Sequence, residues 1–472
     1  MSIQIIWDNL YEKAVHNNRA NLESVPGVAL GFHSTIDGLK RVVPGEIEKI
    51  LADDPALAKE VTSRLGTVPA EIRTPADLLV GLLNSLQNGK ALQLMIREET
   101  TYKWIMEHLG YDNIRMGGTS GNMANSLAPL PLPKILVYAN PLTKEQAELF
   151  VEADNLFVLN RRGELESPQS AWQGEGIYAI HWIFEYPQGL KINVGDTVIE
   201  APRANRYIAA WNPINNKLQI EENFMKHLPA IADDFSHFIV SGFHILSEKY
   251  PDGTTWQAYL KPVARFLRET KKAHPDLRFH YEFASIASSS IRKGIVDHIL
   301  PTVDSLGLNE VELAAVLRDQ GEAKLAADIE KHNSMAAVLR GLERLADRTG
   351  LRRIQLHDLG YYLTLVDSEY TTGEKCRDGM LFGATLAASR STIGKVGTWE
   401  EILQGLDVPL AKGAEERLEA LAEELDCKEF INTGVGTKNG RYIVFVPTKV
   451  VEKPVLTVGL GDLISSSAFI LG

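Results

Sequence analysis

Short apolar runs punctuate the chain, with amphipathic stretches between them. The runs "GVALGF" (27–32), "KILVYAN" (134–140), "HFIVSGF" (237–243), "RFHYEFAS" (278–285) and "RRIQLHDLGYYLTLV" (352–366) have the pattern of buried strands. The intervening "NEVELAAVLRDQ" (309–320), "AKLAADIEKHNSMAAVLRGLERLADRT" (323–349) and "GAEERLEALAEELD" (413–426) carry the helical period. Strand and helix alternating over this length predict a layered α/β fold, a central, mostly parallel sheet flanked by helices. Asn439-Gly440 between two strand candidates predicts a hairpin, and the surrounding glycines lack the G-x-G-x-x-G spacing of a dinucleotide fingerprint.

Two stretches fit this pattern less well. Residues 38–114 are polar and helix-rich, and residues 174–208 read as short strands ("GIYAIHWIFEY", "LKINVGDTVI", "NRYIAAW"). Together they predict a smaller domain inserted as a lid into a large domain made of residues 1–37, 115–173 and 209–472.

Composition changes the picture mainly by exclusion. The 472 residues carry a net charge of −12, which argues against nucleic acid or an anionic membrane as main partner. Two distant cysteines exclude a disulfide framework. With no apolar run of about 18 residues and no leader pattern at the amino end, a cytoplasmic location is expected.

Several local patterns carry chemistry. In "KPVLTVGLGDLISSSAF" a strand candidate (455–458) meets a helix candidate (463–469) at Gly459 and Gly461, followed by Asp462. Glycines let backbone amides approach a ligand, and a helix start suits phosphate. An aspartate there makes sense as a base beside the phosphate, or as a helix cap. In "RFHYEFAS", His280 and Glu282 share one strand face. In "NEVEL", Asn309 and Glu312 fit a capping box and equally a pair of oxygens for Mg²⁺. Asp37 follows a strand, Gly117 and Gly118 permit close backbone approach, Arg206 is a possible phosphate clamp, and His357 suits either a core or a nucleotide pocket. No P-loop, G-x-S-x-G or H-E-x-x-H pattern occurs.

Taken in order, "RMGG", "IHWIFEY", "HYE", "NEVEL" and "VPTKVV…TVGLGD" resemble the ADP-dependent glucokinase and phosphofructokinase family of the ribokinase-like superfamily, over nearly the whole chain. The resemblance implies ADP as phosphoryl donor, AMP as product, a large nucleotide-binding domain and a lid that closes over sugar. It implies Asp462 as catalytic base and Gly461 with Gly459 as an anion hole. Glu282, Glu312 and Asp462 would organise Mg²⁺, while Asn309, His357 and Val451 would line the ADP site. Asp37, Gly117, Gly118 and His181 would contact sugar, and Arg206 would face phosphate.

The choice of sugar rests on fewer residues. Where glucokinases of the family carry a lid Glu, this chain has Gln93, whose neutral amide would not repel a 6-phosphate. Against this, family phosphofructokinases place a Lys where Ala179 stands, and His33 and Thr35 replace the usual asparagines of N-x-N-x-D; Arg203 or Arg206 would compensate. The balance favours an ADP-dependent phosphofructokinase acting on fructose 6-phosphate. The alternatives are a glucokinase, a bifunctional enzyme, an ATP-using ribokinase-type enzyme, or a non-catalytic sugar- or nucleotide-binding protein.

Overall fold

A computed structural model describes residues 3–213, 216–218, 220–456 and 458–472. An eleven-stranded sheet forms its centre. Seven neighbouring strands run parallel, from Arg353–His357 through Ser305–Leu308, Arg278–Glu282, His237–Val240, Val28–Gly31 and Ile135–Val137 to Leu156–Leu159. Antiparallel strands extend both edges: Tyr361–Asp367, Arg441–Pro447 and Val435–Lys438 on one side, Leu165–Glu166 on the other. The parallel strands are largely buried on both faces because helices cover both. Among these helices are Ile3–Glu23, Gly373–Ile393 and Leu460–Leu471. The mixed α/β architecture is the one expected.

A separate five-stranded sheet has the order Leu92–Met95, Asn205–Trp211, Ile180–Tyr186, Thr35–Arg41, Asn113–Gly117. It buries its own apolar cluster, in which Leu79, Trp182 and Tyr207 are inaccessible. Thr35–Arg41 lies four residues after the strand Val28–Gly31, so the chain passes from one sheet to the other through a very short connector. Side chains on that connector therefore face both sheets.

Three sequence expectations need correction. The helix expected over 323–349 is two helices, Ala323–His332 and Met335–Thr349. Asn333 turns left-handed at φ 43°, and the Ser334 hydroxyl then accepts from the Ala337 N–H to start the second helix. The run 352–366 is an antiparallel pair rather than one strand, because the Asp358 carboxylate accepts the Gly360 N–H and closes a turn. The strand expected over 455–458 is not seen in its described residues: Val455 is 70 % exposed and donates its N–H to the Ser391 carbonyl at a helix end, and neither Leu456 nor Val458 lies in a strand. Within that run Thr457 lies outside the described residues. The Asn439-Gly440 turn does form, with φ of 51° and 76° that suit a two-residue hairpin. Among the described residues, no helix is long and apolar enough to cross a membrane.

Candidate active site

Gly459 holds φ 73° and caps the helix Leu460–Leu471, so the run 459–462 is the joint anticipated from its glycines. Two cavities meet at this joint. One, of about 160 Å³, is lined by Gly459 and Asp462 together with Asp37, Gln93, His181 and Arg206. The other, of about 280 Å³, is lined by Gly461 with His357, Val451, Tyr362 and Leu359. The helix start thus stands between a polar chamber and a more apolar one, with its first N–H groups unpaired by helix geometry.

The polar chamber draws on both sheets. Asp37 and His181 are register partners on the neighbouring strands Thr35–Arg41 and Ile180–Tyr186. Gln93 and Arg206 come from the next strands across. Gly118 also lines it, and Gly117 lies directly against Asp37, since a Cβ there would stand 2.1 Å from Asp37 Oδ1. Burial raises the Asp37 carboxyl to about 7 against the pull of Arg115 and Arg206, and nearby Asp462 adds to the rise. Asp462 is itself raised to about 6 by burial, with Arg390 and a hydrogen bond from Asn122 working the other way. A base tuned toward neutrality is suited to taking a proton from an alcohol. Arg390 Nη1 donates to the Gly459 carbonyl at 2.8 Å, which pins the joint from behind.

Behind the joint lies a carboxylate cluster. His280 Nε2 stands 3.3 Å from Glu282 Oε2 and 2.9 Å from Ser465 Oγ, on the helix that carries Asp462. His357 Nε2 is 3.7 Å from the other Glu282 oxygen. Asn309 and Glu312 form the reciprocal cap: each backbone N–H meets the other's side chain at 2.9 Å. Burial pushes Glu282 well up and Glu312 to about 7, and both feel the negative charge of Asp462. Glu282, Glu312 and Asp462 thus lie within mutual electrostatic reach around a helix start. Among the described residues, however, no three such groups stand close enough to hold a metal directly.

Of the residues singled out from sequence, Asp37, Gln93, Gly118, His181, Arg206, Gly459 and Asp462 share the polar chamber, while His357, Val451 and Gly461 share the other. Asn309, Glu282 and Glu312 line neither. Arg203 spends its Nε on the Gly89 carbonyl at 2.5 Å, leaving Arg206 as the arginine of the chamber. Four further residues at or beside the joint are not among those the sequence patterns single out: His244, Asn122, Arg390 and Ser465. His244 follows the strand His237–Val240, and strand ends were a signal that could have found it. Asn122 follows Gly118 by one helical turn. Arg390 and Ser465 give no local signal.

Comparison with known proteins decides the family. Residues 26–471 match the ADP-specific Phosphofructokinase/Glucokinase conserved region. This chain belongs to that family. It is 34% identical to an ADP-dependent glucose/glucosamine kinase of Pyrococcus furiosus, over 98% of each chain. The solved structure of the last common ancestor of ADP-dependent phosphofructokinases from Methanosarcinales is also 34% identical, with a TM-score of 0.87 over 100% of this chain and 98% of that one. An ADP-dependent kinase solved with fructose-6-phosphate and ADPbetaS is 32% identical, with a TM-score of 0.84 over 98% and 97%. Identity alone does not separate the two sugar activities in this family, so the choice rests on the chamber.

Proposed function

We propose that this chain is an ADP-dependent phosphofructokinase, transferring the β-phosphoryl group of ADP to fructose 6-phosphate and releasing AMP and fructose 1,6-bisphosphate. The observation that carries this reading is the pair of cavities meeting at 459–462, with a neutral amide (Gln93) and an arginine (Arg206) in the polar one. Gln93 presents no charge to a 6-phosphate, and Arg206 attracts it.

In this reading the more apolar chamber takes the adenine end of ADP against Val451, Tyr362 and Leu359. The phosphates meet the N–H groups of the helix start near Gly461, where a side chain would crowd His357. Asp37 and His181 orient the acceptor so that its alcohol lies at Asp462. Asp462 takes the alcohol proton as the oxygen attacks phosphorus, and the leaving AMP carries away the displaced charge. Glu282 and Glu312, with Asp462, would hold Mg²⁺ at least partly through water. When bound, the cation would supply positive charge against the phosphate oxygens. Residues 38–114 and 174–208 would form the lid, whose closure excludes water from competing as acceptor.

The test is kcat/KM for fructose 6-phosphate and for glucose, each with ADP and with ATP. Preference for fructose 6-phosphate with ADP is expected. A higher value on glucose overturns the acceptor, and preference for ATP overturns the donor.

A further inference from the structure

His33 lies on the short connector between the two sheets, and its ring enters the polar chamber beside His181 and His244. The ring centroids are 5.6 Å from His181 and 4.8 Å from His244, the latter nearly perpendicular at 83°. His181 belongs to the five-stranded sheet, whereas His244 sits in the turn Phe243–Ile245 after a strand of the large one. The three rings therefore bridge the two sheets at the wall of the cavity.

The main chain of His33 is held firmly. Its carbonyl accepts the Ser120 N–H at 3.0 Å and the Ser120 hydroxyl at 2.6 Å. Gly118 and Gly242, both at positive φ, press against it from two sides: a Cβ at Gly118 would lie 2.6 Å from the His33 carbonyl oxygen, and one at Gly242 would lie 2.6 Å from the His33 Cβ. Yet the ring makes no use of its nitrogens. His33 is 1 % exposed, and both its Nδ1 and Nε2 are without a hydrogen-bond partner, as is Nδ1 of His244. Leaving buried polar atoms unpaired is costly, and a side chain that only filled space would do so better as carbon. Burial also holds His33 well below the usual histidine range and His244 at about 4, so both rings are neutral at pH 7. A neutral imidazole offers one donor and one acceptor, the complement of a hydroxyl or a phosphoryl oxygen.

We propose that His33 and His244 are specificity-determining residues for the acceptor, their free ring nitrogens hydrogen-bonding oxygens of the sugar phosphate. This rests on the reading that the polar chamber holds the acceptor. Asp462 and Arg206 act at charged or reacting oxygens, while the neutral imidazoles add hydrogen bonds from the same cavity.

The test replaces each ring by one of similar shape without nitrogens, His33→Phe and His244→Phe, and measures KM for fructose 6-phosphate, glucose and ADP, together with thermal stability. The KM for fructose 6-phosphate should rise about three- to ten-fold in each variant, with the KM for ADP unchanged. His33→Asn, which returns a donor and an acceptor, should recover part of the loss. The ligand-free His33→Phe protein should melt no lower than the parent, since it loses no protein hydrogen bond. A matching rise for glucose assigns the contact to a sugar hydroxyl, and a rise confined to fructose 6-phosphate assigns it to the phosphate. Unchanged acceptor KM in both Phe variants overturns the proposal. Should His33→Phe fail to fold, His244→Phe, at a half-buried position, decides the matter. Arg206→Met serves as reference: if it raises the acceptor KM and the imidazole variants do not, only the histidine role falls. If none of the three moves the acceptor KM, the chamber itself has been misassigned.

Discussion

The two chambers at the helix start solve recognition in opposite ways. The larger one is built from the antiparallel edge of the main sheet, the helix Gly373–Ile393 and the loop before residue 459, and its walls are mainly apolar. Leu359 stands at its rim 77 % exposed, a large apolar side chain that a flat base would cover. The smaller chamber takes residues from both sheets and is crowded with ionisable groups: Asp37, Asp462, Arg206 and three histidines. A base is gripped by area, which tolerates small changes of shape. A sugar is gripped by hydrogen bonds, which a missing or misplaced partner penalises heavily. On the proposed function, discrimination would be concentrated in the chamber that both sheets must assemble.

Perturbing one chamber at a time tests that division. The largest effect belongs to Asp462→Asn, which should lower kcat about 10²- to 10⁴-fold while ADP binding, measured by calorimetry, stays within a few-fold. Retained turnover would remove Asp462 as the base. Next comes Arg206→Met, expected to raise KM for fructose 6-phosphate about 10- to 100-fold with little change for glucose. An equal loss on both sugars would move Arg206 from the 6-phosphate to the reacting end. Gly461→Ala places a methyl 3.1 Å from His357 Nε2 and should raise the KM for ADP several-fold, roughly the cost of one lost contact, leaving the sugar KM alone. A change in sugar KM instead would mean that the chambers are not independent.

The mildest effect is on stability. Asp37 titrates near 7 when folded and near the ordinary aspartate value of 3.8 when unfolded. Between these values the folded state binds more protons, so stability is greatest at the acidic end and falls as pH rises from about 4 to 7. Asp37→Asn should flatten part of that slope in the ligand-free protein, a difference of a few degrees in Tm across the window. An unchanged slope would show that Asp37 does not carry it.

Legibility from sequence differed between these regions for physical reasons. Five of the seven parallel strands are readable because burial on both faces favours apolar runs, as in "HFIVSGF". Asn309 and Glu312 were readable as a cap because the geometry is local. The break at Asn333 was missed because one left-handed residue interrupts a helical period that otherwise continues on both sides. The run 455–458 has a strand's composition, yet the Val455 N–H is spent on the Ser391 carbonyl at a helix end rather than on a neighbouring strand. Arg390 reaches Gly459 across 69 positions, and no spacing rule spans such a distance.

By itself, the order of residues determined the alternating layers, the glycine joint before Asp462 and the family, because each depends on local periodicity or on recognisable strings. Only the tertiary structure decided that this joint divides two chambers, that Arg206 rather than Arg203 serves one of them, and that His33 holds two idle nitrogens there. Those outcomes depend on which groups find partners once distant strands meet, and burial, which turns an unpaired polar atom into a cost, exists only after the chain has folded.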